Sequence, residues 1–144
     1  MRNETEALAS LFEAAADVRV RAHAPYSNFF VGAAILDEEG RIHVGCNVEN
    51  AAYPQGTCAE AGAISAMVAA GGRRILAAAI VGGPADGDEI QCPPCGGCRQ
   101  RLREFAGEMT SVHLRDAVGT VTSLPLGELL PLSFGPESLE RDRP

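Results

Sequence analysis

Residues 74–83, RILAAAIVGG, contain the longest apolar run of the chain, from Ile75 to Val81. The run has the length of a strand, and no polar side chain interrupts it. Alternation of polar and apolar residues is typical of a strand with one face in solvent, whereas a continuous apolar run is typical of a strand buried on both faces. These residues therefore predict a central strand in a sheet that is covered on both sides.

The sequence before this strand predicts two helices and a hairpin. Apolar side chains recur at helical spacing over residues 4–21, which predicts an amphipathic helix. Residues 31–37 and 41–47 are predicted to be two antiparallel strands, joined by the short loop EEG. A second helix is expected over residues 58–70 and ends at the glycine pair that begins with Gly71.

The sequence after the central strand predicts a further helix and two more strands. Residues 82–89 form a loop rich in Gly, Pro and Asp, and residues 92–107 are expected to form a turn that leads into a helix. Strands are predicted at residues 111–116 and 119–124. A short helix over residues 125–131 and a polar tail complete the chain.

The order of these elements predicts an α/β fold in a single domain, residues 1–144. Neither an internal repeat nor a composition shift divides the chain. Helix, hairpin, helix, strand, helix, strand and strand together predict a mixed sheet of about five strands with helices packed on its faces.

The charge and the residue usage argue against several classes of function. A formal charge of −7 disfavours nucleic acid as a partner, since phosphate binding needs a basic face. All twelve basic side chains are Arg, so neither a phosphate-loop lysine nor Schiff-base chemistry is available. The N-terminal MRNETEALAS has no apolar core, and no run approaches the roughly 20 residues of a membrane span. We therefore expect a soluble, cytoplasmic protein with no membrane partner.

The five cysteines point to a metal rather than to disulfides, because the count is odd and a cytoplasmic compartment is reducing. Cys95 and Cys98 form a C-x-x-C pair at a helix start, where two thiolates share one face and the helix dipole favours negative charge. Three other interpretations stay open: thiols in an apolar turn, a redox pair, and an iron–sulfur cluster. The cluster would need a fourth Cys where the chain has Leu102.

Cys58 and Glu60 lie at the start of the other predicted helix. Side chains two residues apart in a regular helix point in different directions, so Cys58 and Glu60 can face one ion only at a helix end. If the N-termini of the two helices converge, Cys58 lies near Cys95 and Cys98. Three protein ligands leave one tetrahedral position of zinc open, which is typical of a catalytic site. Glu60 would then stand beside the site as proton shuttle rather than as ligand. The alternative is that Glu60 only complements the helix dipole and that Cys58 packs as a small apolar residue.

The chain resembles the small homotetrameric cytidine deaminases over most of its length. CAE and PCGGC fit the [H or C]-x-E … P-C-x-x-C signature of zinc deaminases. The similarity extends over APYSNFFVGAAILDEEGRIHVGCNVENAAYPQGTCAEAGAI, PPCGGCRQRLREF and LLPLSFGPESL. The resemblance implies a three-layer α/β/α sandwich and a hydrolase of pyrimidine salvage. It implies that cytidine and deoxycytidine are converted to the uridine nucleosides and ammonia, with Glu60 as proton shuttle and zinc held by Cys58, Cys95 and Cys98.

The resemblance also implies a substrate pocket that is shared between subunits of a homotetramer. Asn47 and Glu49 match residues that hold the ribose hydroxyls. Phe29 and Ala59 match residues that contact the base. Tyr53 and Phe134 match residues that complete the pocket of a neighbouring subunit.

Three positions depart from the family pattern. Ala61 stands where many members carry an Arg that offsets the charge of three thiolates on Zn²⁺, so we expect the helix termini, and Arg99 as a further candidate, to compensate. Phe30 replaces a frequent Pro. Cys92 lies three residues before Cys95 and is a possible alternative to Cys58 as ligand.

Three other functions compete with cytidine deamination. They are deamination of a modified cytosine nucleoside such as an aminonucleoside antibiotic, deamination of cytosine within a polynucleotide, and partner binding by a structural zinc module. The charge disfavours the second, and the third requires a fourth ligand to close the site. The remaining cysteine and the histidines lie in no motif and are expected to be packing or surface residues: Cys46, His23, His43 and His113.

Overall fold

The computed structural model describes residues 3–139 and shows a mixed sheet flanked by helices. Short 3₁₀ turns occupy Tyr53–Gln55 and Pro136–Leu139. The helices are α1 (Glu4–Arg19), α2 (Ala59–Ala69), α3 (Gly96–Phe105) and α4 (Leu126–Leu129), and the strands are β1 (Phe29–Asp37), β2 (Ile42–Cys46), β3 (Ile75–Pro84), β4 (Ser111–Arg115) and β5 (Val121–Pro125).

The sheet has the strand order β2-β1-β3-β4-β5, with β3 at its centre. Strand β3 pairs antiparallel with β1 and parallel with β4, and the two outer pairs are antiparallel. Ile80 lies opposite Ala33 on one side and opposite Leu114 on the other. The predicted mixed sheet of about five strands is confirmed.

Strand β3 is buried on both faces, as the apolar run predicted. Ala78 and Ile80 join the core beneath α2 and α3, and the alternate residues Ala79 and Val81 join the core beneath α1. Because successive strand side chains point to opposite faces, an uninterrupted apolar sequence supplies both cores at once. The result is the three-layer α/β/α sandwich.

Glycines in the sheet allow a helix on each face to approach closely. A Cβ on Gly32 would lie 2.0 Å from the carbonyl oxygen of Ala15 in α1. On the opposite face, a Cβ on Gly45 would lie 2.3 Å from the carbonyl oxygen of Ala59, at the start of α2. The missing side chain of Gly45 therefore sets the distance between β2 and the N-terminus of α2.

A buried carboxylate ties the β1–β2 hairpin together and links it to the end of α2. Asp37 is fully buried and accepts hydrogen bonds from the Arg41 Nε at 2.9 Å and from His43 Nε2 at 2.7 Å. Arg41 also donates to the carbonyl of Ala70 at 2.8 Å. Burial raises the pKa of Asp37. The hydrogen bonds from the His43 ring, from Arg41 and from the backbone N–H of Glu39 outweigh that effect and hold the pKa far below its usual range. His43 thus has a polar partner that no motif indicated.

The element boundaries differ from the predictions by a few residues. Helix α1 ends at Arg19 rather than at residue 21, and β3 continues to Pro84, into the predicted loop. Strand β5 begins at Val121 rather than at Gly119, because Gly119 has φ +83° in a turn held by the Asp116 carboxylate. Part of the predicted polar tail lies outside the described residues. No helix in residues 3–139 combines the length and the apolar character that a membrane span requires.

Candidate metal centre and active site

Two helix N-termini converge on the cysteines, as the spacing predicted. Cys58 is the N-cap residue of α2, and Cys95 is the N-cap residue of α3, with Cys98 in the first turn of the same helix. The three sulfur atoms all lie within 4.8 Å of one another. Tetrahedral zinc with Zn–S bonds of about 2.3 Å separates its sulfur ligands by about 3.8 Å, so the cluster is close to that geometry.

The electrostatics of the cluster also fit a cation. Burial raises the pKa of the Cys98 thiol well above its usual range, and the nearby charges of Glu60 and Cys58 raise it further. Burial likewise raises the pKa of Cys58, whereas the backbone N–H of Cys98 lowers the pKa of Cys95. The three thiols and the Glu60 carboxyl group lie close together and are partly buried, so the ionisation of one disfavours the ionisation of the others. A divalent cation removes that conflict, so the donor set fits zinc.

Glu60 lies beside the sulfur cluster and is not part of it. It is the second residue of α2, and only 5% of its surface is exposed. Burial raises the pKa of Glu60, and hydrogen bonds from its own backbone N–H and from Cys98 offset part of that rise. A carboxyl group with a raised pKa can both take up and release a proton, which is what a general acid–base catalyst requires.

A cavity of about 200 Å³ opens onto the cluster. It brings the Glu60 carboxyl group, two of the three clustered cysteines and a predicted sugar-binding side chain around one space. The lining residues are Val31, Asn47, Cys58, Ala59, Glu60, Cys92, Pro93 and Cys95.

Asn47 reaches this cavity with both ends of its amide engaged. Its Oδ1 accepts from the backbone N–H of Val31 at 2.8 Å, and its Nδ2 donates to the carbonyl of Phe29 at 2.8 Å. The side chain is therefore fixed to the start of β1. Each amide end can make one further hydrogen bond, so the predicted contact with a sugar hydroxyl remains compatible with this geometry.

Glu49 lines a second depression, of about 360 Å³, together with Tyr26, Ser27 and Tyr53. Its Oε1 accepts from the backbone N–H of Tyr26 at 2.9 Å, and its Oε2 accepts from the Ser27 hydroxyl. The Ser27 hydroxyl, with the backbone N–H groups of Tyr26 and Ser27, lowers the pKa of Glu49, so the carboxylate is ionised near neutral pH. The rings of Tyr26 and Tyr53 meet edge to face, with their centroids 5.6 Å apart.

The two predicted phenylalanines occupy different surroundings. The Phe29 ring lies beside Gly82 and Cys92, since a Cβ on Gly82 would come within 3.2 Å of the ring and 2.8 Å of the Cys92 sulfur. Phe134 is 59% exposed, and its carbonyl accepts from the Gln100 side chain. The roles of Phe29 at the base and of Phe134 in a neighbouring pocket stay predictions.

Cys92 lines the cavity, but it is not a member of the sulfur cluster. Burial raises the pKa of its thiol to about 11, and the charge of Glu60 adds to that effect. The alternative in which Cys92 replaces Cys58 as ligand is not the arrangement that the structure shows, because Cys58 lies with Cys95 and Cys98.

The structure corrects the expectation for Arg99. Its guanidinium donates to the carbonyl of Pro94 and to the carbonyl of Leu129, both at 2.8 Å, and not to a sulfur atom. Arg101 is the arginine that contacts the cluster, with Nη1 3.5 Å from the Cys98 sulfur. Sequence reasoning missed it, although residues three apart on a helix share a face.

The fold and the site together define a class of protein. An α/β sandwich with three sulfur ligands at two helix N-termini and a buried glutamate beside them has the layout of a metal-dependent hydrolytic enzyme.

Comparison with known proteins gives the family. Residues 5–114 match the model described as the cytidine and deoxycytidylate deaminase zinc-binding region. A cytidine deaminase of Mycobacterium tuberculosis is 44% identical over 123 residues, which cover 85% of each chain. One from Sporosarcina psychrophila is 42% identical over 121 residues, which cover 84% of this chain and 86% of the relative. The chain belongs to the cytidine and deoxycytidylate deaminase family.

Solved structures agree with this assignment. The cytidine deaminase of Burkholderia pseudomallei has a TM-score of 0.79 and 41% identity, with coverage of 88% of this chain and 98% of that one. A structure of the Mycobacterium tuberculosis enzyme gives a TM-score of 0.75 and 39% identity, over 89% and 97% of the two chains. The family and the three-sulfur cluster together support zinc as the metal.

Proposed function

We propose that this protein is a zinc-dependent hydrolase that converts cytidine and deoxycytidine to uridine and deoxyuridine with release of ammonia. The observation that carries the proposal is the three-sulfur cluster with Glu60 beside it on one cavity. Among residues 3–139 the cluster has three members, and neither Glu60 nor Cys92 belongs to it. A structural zinc module would use a fourth protein ligand, so three ligands favour catalysis.

The atom balance of the reaction explains what Glu60 does. Water forms a bond to C4 of the cytosine ring, and the bond from C4 to the amino nitrogen breaks. One water proton ends on ring nitrogen N3 of the product, and the other ends on the departing ammonia. Zinc, when bound, lowers the pKa of a water molecule so that it can attack the base. Glu60 would accept one proton from the attacking water and pass it to ring nitrogen N3, and the same carboxyl group would carry the second proton to the leaving amino nitrogen. Its burial keeps competing solvent away from this transfer.

The sugar would be held by Glu49 and Asn47. A carboxylate that is ionised and already oriented by Ser27 accepts strongly from ribose hydroxyl groups. The Asn47 amide is fixed by β1 and reaches the cavity that contains Glu60. Phe29 and Ala59 would contact the base. A neutral nucleoside suits a protein of charge −7, which would repel a polynucleotide.

Several exposed apolar side chains support a homotetramer in which Tyr53 and Phe134 complete a neighbouring pocket. Leu132, Phe134 and Leu139 lie close together in sequence and are 104%, 59% and 72% exposed, and Tyr53 is 73% exposed. Apolar surface of this kind is typically covered in an assembly. We place the enzyme in the cytoplasm and in pyrimidine salvage, where the free nucleosides that it would use are recovered.

Two matched variants test the proposal. Glu60→Gln should keep one zinc per chain and lose turnover by roughly 10²–10⁴-fold, because the proton carrier is gone and the ligands are intact. Cys95→Ser should lose both zinc and turnover. Zinc content is measured by atomic emission, and ammonia release is measured with cytidine, deoxycytidine and an aminonucleoside antibiotic as substrates. Full turnover by Glu60→Gln, or faster turnover of the antibiotic than of either nucleoside, would contradict the proposal.

A further inference from the structure

The three-thiolate site has a charge that some neighbour has to balance. Zn²⁺ with three thiolates carries a formal charge of −1, and electron donation from sulfur weakens the pull of the metal on water. The residue after Glu60 is Ala61, which has no side chain able to donate a hydrogen bond. The helix N-termini at Cys58 and Cys95 contribute partial positive charge only.

Arg101 brings a full positive charge to the cluster. Its Nη1 donates to the Cys98 sulfur at 3.5 Å, a normal distance for a hydrogen bond to sulfur. The Cys98 side chain is fully buried, so solvent does not compete for that sulfur. Residues 98 and 101 lie on the same face of α3, so the contact follows from helix geometry.

The other two arginines of α3 are committed elsewhere. Arg99 binds the backbone carbonyls of Pro94 and Leu129. Arg103 binds the Ser133 hydroxyl and forms an ion pair with Glu137. Within residues 3–139, by contrast, no carboxylate lies within 4.0 Å of the Arg101 guanidinium. Among those residues, no carboxylate therefore competes with the Cys98 sulfur for the Arg101 guanidinium.

Gly97 leaves the space that the Arg101 guanidinium occupies. A Cβ on Gly97 would lie 3.3 Å from Arg101 Nη1 and 3.9 Å from the Cys95 sulfur. Gly97 does not have a positive φ, so its backbone does not require glycine. A side chain at residue 97 would therefore crowd the guanidinium that contacts the Cys98 sulfur.

We propose that Arg101 is a positioning residue of the zinc centre, which donates a hydrogen bond to the Cys98 thiolate and offsets the negative charge that Ala61 leaves unbalanced. The hydrogen bond reduces the electron density that Cys98 gives to the metal and favours the ionised thiolate that the metal needs. The inference concerns the same site as the proposed deaminase activity and rests on that activity only for its kinetic consequence.

The test compares Arg101→Met with Arg101→Lys, and Arg74→Met serves as control. Arg74→Met removes the same charge from an exposed position between α2 and β3, outside the sulfur cluster and the cavity beside it. The first measurement is the zinc dissociation constant, obtained by competition with a chelating dye. Arg101→Met should bind zinc about 10–100-fold more weakly, Arg101→Lys should recover part of the loss, and Arg74→Met should match the parent.

A spectroscopic measurement separates this role from a general effect on folding. With Co²⁺ in place of zinc, loss of the hydrogen bond raises the energy of the sulfur lone pair. The sulfur-to-cobalt charge-transfer band of Arg101→Met should therefore shift to longer wavelength, while that of Arg101→Lys should stay nearer the parent position. In the kinetics, kcat should fall for Arg101→Met with KM little changed.

Zinc affinity and a cobalt band that do not change in Arg101→Met would overturn the inference. The failure of the proposed function would look different. In that case the parent protein would bind zinc and show the Arg101 effects on affinity and on the cobalt spectrum, but it would release no ammonia from cytidine.

Discussion

The contact between β2 and the N-terminus of α2 at Gly45 offers a direct test of how the fold positions the site. In Gly45→Ala, the new Cβ would lie 2.3 Å from the carbonyl oxygen of Ala59 and 2.4 Å from the backbone nitrogen of Ala63. Ordinary contact begins near 3.4 Å, so α2 has to retreat by about 1 Å. That helix carries Cys58 at its N-cap and Glu60 in its first turn.

The expected magnitudes follow from that displacement. Overpacking of a tight interface costs about 1–3 kcal/mol of the free energy of unfolding. A misplacement of about 1 Å at a reacting group costs roughly 10²-fold in rate. Gly45→Ala should therefore lose stability, zinc affinity and turnover together, although residue 45 is neither a zinc ligand nor part of the cavity lining.

Gly62→Ala is the matched control, because it adds a methyl group to the same interface from the helix side. Its Cβ would lie 3.4 Å from the Gly45 Cα, which is ordinary contact. Replacing a glycine inside a helix by alanine favours the helix by up to about 1 kcal/mol. Thermal unfolding, zinc content and ammonia release are measured for both variants. If Gly45→Ala kept the stability and turnover of the parent, close helix packing would not be what positions Cys58 and Glu60.

Three further outcomes are expected. Asp37→Asn should lower the melting temperature at neutral pH. Because the pKa of Asp37 is depressed in the folded protein, the stabilisation by this carboxylate is complete above about pH 3.8 and is lost progressively as the pH falls below that value. The difference in melting temperature between variant and parent should therefore shrink in acid. A constant difference from pH 7 to pH 3 would count against this network. Glu49→Gln should raise KM for cytidine by roughly 10–100-fold with a smaller change in kcat, since a charge-assisted hydrogen bond to the sugar is worth about 1.5–3 kcal/mol; unchanged KM would remove Glu49 from the sugar site. Chelation should abolish turnover and lower the melting temperature, and added zinc should restore both, because metal binding stabilises the folded chain; a metal-free protein of unchanged stability would refute the coupling.

Much of the fold could be predicted from the sequence, because local patterns carry it. The apolar run at Ile75 to Val81 predicted a strand buried on both faces, and β3 supplies both cores. The boundaries were less accurate where hydrogen bonds outside the local pattern decide them. Gly119 sits in a turn organised by the Asp116 carboxylate, so β5 begins later than its composition suggested.

The sequence also predicted which three sulfur atoms come together, since helix ends and the C-x-x-C spacing constrain them strongly. Glu60 lines the same cavity as Cys58 and Cys95. The sequence did not predict the charge around them correctly. Arg99 is adjacent to Cys98 but points to backbone carbonyls, whereas Arg101 lies one helical turn on and reaches the sulfur. The contact between Asp37 and His43 was missed because it depends on pairing across the hairpin, which no local motif marks.

The most direct test of the central claim is X-ray absorption spectroscopy at the zinc edge on freshly isolated protein, combined with metal analysis. We expect one zinc per chain with three sulfur neighbours at about 2.3 Å and one oxygen or nitrogen neighbour. Four sulfur neighbours, which would bring in Cys92, or no bound metal at all would contradict the account of this site.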